Sequence, residues 1–74
     1  MTTVEVYKTN IRKVKEAKQI ALTLAAILPK CKINFDLGDC DRILRIESLK
    51  GPVNSEQVIT LLNRNGFNCE VLVD

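Results

Sequence analysis

The apolar residues of this chain switch from a period of two to a helical period and back, and then do so again. Few small folds accept that order. Thr3 to Thr9 is β-branched and aromatic, with polar residues between apolar ones, and reads as a strand. Asn10 is a suitable N-cap for the helix expected next. In that helix Val14, Ala17, Ala21, Leu24, Ala25 and Leu28 share a face that Ile20 and Ile27 widen, and Pro29 ends it. Lys32–Leu37 alternates so that Ile33, Phe35 and Leu37 share one face. Gly38–Asp41 has the composition of a hairpin turn, and Arg42–Leu49 returns as a strand with Leu44 and Ile46 inward. Gly51-Pro52 breaks the chain. A second helix then opens on Asn54, with Gln57 three residues on and Val53 placed to staple against Val58. Val58, Leu61 and Leu62 form its apolar face, Gly66 suits a left-handed C′ position, and Phe67–Val73 alternates as the last strand.

The order is βαββαβ. Two right-handed crossovers convert it into an α+β, ferredoxin-like fold: a four-stranded antiparallel sheet, order 4-1-3-2, with both helices on one face. The 74 residues make a single domain, 1–74. With no Trp, its core rests on Ile, Leu, Val and Ala, plus Tyr7, Phe35 and Phe67.

A net charge of +2 is too small to imply nucleic acid, and no apolar run nears the ~20 residues of a membrane helix. Met1–Glu5 lacks the basic and apolar regions of a signal peptide, so a cytoplasmic location is expected. Cys31, Cys40 and Cys69 are odd in number and widely spaced, which describes reduced thiols and not a disulfide framework.

Lys8-Thr9-Asn10-Ile11, Ile33-Asn34-Phe35-Asp36-Leu37 and Asn65-Gly66-Phe67, in this order and spacing, resemble the heavy-metal-associated, metallochaperone-like domain. That family carries Cys-x-x-Cys between its first strand and first helix. Here the two ligand positions fall on Lys13 and Glu16. An ammonium and a carboxylate do not make the thiolate pair that a soft ion such as Cu(I) prefers. The resemblance thus implies the fold without the usual metal site, and no cofactor is expected.

Could other residues take over? Cys69 is expected to face the helices, Cys40 lies in the hairpin turn and Cys31 begins the second strand, too far apart to share an ion. Asp36, Asp39 and Asp41 are explained by turn chemistry and fall short of a calcium loop. No His is present, and no nucleophile–base pair can be assembled, so the chain is not read as an enzyme. Lys8, Arg12, Lys13 and Lys15 are the functional candidates. Arg12, Lys13 and Lys15 are expected in the first helical turn, where the macrodipole disfavours cations. The resemblance implies docking of an acidic protein through such a surface. The expected role is a small binding or adaptor module. The alternatives are a residual metal carrier using Cys40 or another exposed thiol, and an ACT-like small-molecule sensor. Val4, Val6, Ile43 and Leu72 are expected on the outer sheet face, where they could support a weak homodimer; otherwise the chain is a monomer.

Overall fold

The computed structural model describes residues 2–38 and 42–72. Its elements are β1 (Thr3–Thr9), α1 (Val14–Ile27), β2 (Cys31–Asp36), β3 (Ile43–Ser48), α2 (Ser55–Arg64) and β4 (Cys69–Val71). They form one antiparallel four-stranded sheet in the order β2-β3-β1-β4, the ferredoxin-like arrangement expected from the sequence.

The register sorts side chains between the faces. Tyr7 lies opposite Leu44, and Glu5 opposite Ile46. Tyr7, Leu44 and Ile46 are fully buried together with Ile11, Leu24 from α1, and Val58 and Leu62 from α2. Both helices therefore close the same side of the sheet. Burying side chains of this size stabilises the fold by about 1.5–3 kcal/mol each. A polar link ties sheet to helix: the Tyr7 hydroxyl and Ser55 Oγ, at the start of α2, share a 2.8 Å hydrogen bond.

The second helix follows its sequence signals closely. Asn54 accepts a 3.1 Å bond from Gln57 N through Oδ1, and Gly66 takes a φ of +85° just beyond the end. The first helix does not. It begins at Val14, its N-cap is Lys13, and Asn10 lies well before it. Its buried face is Ala17, Ile20 and Leu24, while Val14 is 62% exposed and Ala25 faces solvent. The apolar stripe is wider than the sheet surface it covers, so its margin is left outside. The outer sheet face carries Val4, Val6, Ile43 and Leu72, as expected, but they are unequally exposed. Val4 and Leu72 are exposed, Val6 is half-buried, and Ile43 is buried between its register neighbours Lys8 and Asp36. Long polar side chains can blanket an apolar neighbour in this way.

Candidate binding surface at the start of the first helix

The loop from Asn10 to Lys13 is fixed from three directions. Thr9 is buried, and both its backbone N and its Oγ1 donate to the Arg42 carbonyl, at 3.2 and 2.7 Å. Ile11 sinks into the core with no exposed surface, and its N–H donates to Thr9 Oγ1 at 3.3 Å. Asn10 Oδ1 accepts a 2.8 Å bond from Asn68 N, just before β4. Arg42 is itself held in the left-handed region, φ +51°, while its Nη1 donates to Leu37 O at 2.8 Å. A non-glycine residue there is strained. That backbone is the one whose carbonyl meets Thr9.

These contacts explain why the helix starts late. Anchoring Ile11 in the core and committing the Asn10 side chain to Asn68 carry the chain across the end of the sheet before it can coil. Helical hydrogen bonding begins with Ala17 N donating to Lys13 O at 3.0 Å. Arg12 and Lys13 are therefore not in the first turn, contrary to the sequence-based expectation. Lys15 is, alongside the half-buried Glu16. Lys13 stands at the cap with extended geometry, φ −101° and ψ 134°, and its side chain makes no capping bond. The first-turn N–H groups thus have a cation beside them where helices usually place an acceptor.

All four basic candidates are exposed. Arg12, Lys13 and Lys15 are consecutive or nearly so on the loop and first turn. Lys8 projects from the outer sheet face, opposite Glu70 in register. It lines a recess of about 330 Å³ with Thr9, Asn10, Asn63, Asn68, Cys69 and Glu70. The other three cations stand outside that recess, on exposed surface.

Cys31 and Cys69 lie on the two outer strands. Cys31 pairs with Ser48 and Cys69 with Thr9, so the two are separated by three strand spacings and six residues along β1. At ~4.8 Å per strand and ~3.3 Å per residue, that is roughly 24 Å. One ion cannot bridge it. Burial, and secondarily Glu70, push the Cys69 thiol up to about 11, so it is a poor thiolate at neutral pH. Asp39, Cys40 and Asp41 lie outside the described residues, so the alternative of a metal carrier using Cys40 is not placed. Among the described residues no group of three metal-ligating side chains converges. No described helix is long and apolar enough to cross a membrane.

Two contacts were not legible in the sequence. The Asn10–Asn68 link joins residues far apart in the chain, and Asn10 reads locally as a cap. The left-handed Arg42 carries no signal, because that conformation is normally given to Gly, Asn or Asp. No protein-family model matches the chain, and neither a curated protein nor a solved structure matches it.

Proposed function

We propose that the chain is a degenerate heavy-metal-associated domain that acts as a small binding or adaptor module. It docks an acidic protein surface on Arg12, Lys13 and Lys15, with Lys8 at the rim. The observation that carries this reading is the cation at an uncapped helix start. Lys13 occupies a position where Ser, Thr, Asp or Asn would stabilise the helix, yet the loop presenting it is pinned by Thr9, Asn10 and Ile11. A costly local choice on a rigid platform is the pattern of a surface kept for binding. Lys13 is the N-cap of α1 and Glu16 lies in its first turn, directly after the segment that joins first strand to first helix, which supports the lost-site part of the reading.

The docking test is an NMR titration with an acidic peptide at low and high salt. Shift changes should cluster on residues 8–16, shrink with salt, and disappear in Lys13→Glu/Lys15→Glu. Changes elsewhere, or none at low salt, would refute docking. The family reading is tested separately by competition for Cu(I) against a colorimetric chelator under reducing conditions. The chain itself should not retain the ion, and Lys13→Cys/Glu16→Cys should gain it. A double variant that folds and gains no affinity counts against the family reading.

A further inference from the structure

The two outer strands of the sheet are not equally protected. β4 is three residues long, and short edges resist pairing. β2 runs for six residues, Cys31–Asp36, and alternates apolar and polar side chains throughout. Its hydrogen-bonding direction follows from the register. Leu49 N donates to Lys30 O at 2.9 Å, and Lys32, Asn34 and Asp36 continue that set of bonded pairs toward β3. The backbone N–H and C=O groups of Ile33 and Phe35 therefore point away from the sheet.

The side of β2 that faces the helices also lacks a complete cover. Ile33 and Phe35 are only half-buried. Between them and α1 runs an open groove in two sections, of about 390 and 400 Å³, lined by Val14, Ala21, Leu22 and Ala25 from the helix, with Lys18 crossing it. Leu22 is 74% exposed and Val14 62% exposed. This is the margin of the α1 stripe that the sheet fails to cover.

We infer that this edge binds a second copy of the chain through antiparallel β2–β2 pairing, with Asn34 on the two-fold axis. The strand is complementary to itself in that register and no partner of other sequence is needed to satisfy it. Placing Asn34 opposite Asn34 sets Lys32 against Asp36 of the other copy, twice over. It sets Ile33 against Phe35, also twice. The Ile33 and Phe35 backbone groups that point outward then meet as bonded pairs, giving four main-chain hydrogen bonds across the axis. Moving the register by one pair in the direction that brings Phe35 opposite Phe35 leaves Asp36 facing Asn34 and Lys32 facing Gly38, without charge pairing. Asp36 Oδ1 accepts from Gly38 N at 3.2 Å, and Oδ2 is left for the lysine. On the helix side, the two grooves merge into one, and the exposed apolar margins of both α1 helices face each other. The surface is distinct from the basic rim and does not depend on it.

Sedimentation velocity of the full chain up to millimolar concentration should show a monomer–dimer equilibrium. Asp36→Lys places like charges opposite one another at both pairs and should weaken association about tenfold or more. Adding Lys32→Asp to it should restore association. Register is read by oxidative cross-linking: Asn34→Cys should form a disulfide dimer joined through residue 34, mapped by mass spectrometry. Lys32→Cys, equally exposed but facing residue 36 in the partner, should not link to itself. A chain that stays monomeric at all concentrations overturns the inference. So does equal cross-linking of the two cysteine variants, or a charge swap that fails to restore association in folded protein.

Discussion

Replacing Lys13 by Ser should stabilise the protein, and the amount is set by the geometry of one helical turn. Lys13 is the N-cap of α1, in the extended conformation that capping residues adopt, and Glu16 is the third helical residue. Lys13→Ser therefore supplies an acceptor for the N–H of Lys15 or Glu16. It also completes a Ser-x-x-Glu capping box, in which the Glu16 carboxylate can reach back to the N–H of residue 13. A capping hydroxyl contributes about 1 kcal/mol over alanine, and removing a cation from this end adds about 0.3–0.5 kcal/mol at low salt. For a domain of this size, a total near 1.3 kcal/mol corresponds to a rise in Tm of about 5–10 °C. Lys13→Ala is the control, since it removes the charge without giving an acceptor. It should show a small gain at low salt that high salt abolishes, while most of the serine gain persists. Thermal unfolding followed by circular dichroism at two salt concentrations measures both. If Ser and Ala behave alike, the uncapped start is not a stability defect. If both are less stable than the parent chain, the Lys13 side chain holds the loop in a way its geometry does not reveal. Either result removes the argument that this position was kept cationic at a cost.

Asn54→Ala should lose the α2 cap and about 1 kcal/mol of stability in urea unfolding, whereas Asn10→Ala should leave helix content intact and raise amide exchange at Asn68, its hydrogen-bond partner. Leu24→Ala should cost about 2–5 kcal/mol because Leu24 is fully buried, while Leu22→Ala, two residues away and exposed, should change monomer stability little. Burial raises both the Tyr7 hydroxyl, against the opposing pull of its bond to Ser55, and the Cys69 thiol, from 9.0 to about 11. The native state therefore keeps protons that the unfolded chain has released, and stability should fall as pH rises from about 9 to 11, with Cys69→Ala flattening part of that decline in pH-dependent denaturation.

The fold was readable because each element satisfied its local pattern and its tertiary role together. Asn54 and Gly66 act where their residue types say they should, and the alternation of Thr3–Thr9 and Lys32–Leu37 assigns faces that the register bears out. Sequence reasoning failed at Asn10–Lys13, where a long-range demand outweighed a local one. Asn10 is as good a cap as Asn54, but Ile11 has a place in the core and the Asn10 carboxamide has a partner across the sheet end. Periodicity cannot register either fact. It also overstated the α1 stripe: Val14 and Ala25 fit the helical spacing but lie past the width of sheet available to cover them.

The late start of α1 changes which basic residue carries the most meaning in the proposed function. With the helix beginning at Val14, residues 13 and 16 are its N-cap and third position, the two places whose side chains can reach the free N–H groups of the first turn. Glu16 is in keeping with that site, since a carboxylate near a helix N-terminus is favourable. Arg12 lies before the helix, and Lys15 is its second residue, outside the two capping positions. Lys13 is the residue out of step. It sits at the one position where a short polar side chain would both satisfy the helix and lower the local charge, and it does neither. An acidic partner that places a carboxylate there would supply the missing acceptor and the counter-charge at once. Binding should therefore stabilise α1 from its N-terminus. That gain should be larger in the parent chain than in Lys13→Ser, where the cap is already filled, and hydrogen exchange of the first-turn amides with and without an acidic peptide decides it. Equal protection of those amides in the two proteins would mean that the partner contacts the lysine side chains and leaves the helix end untouched.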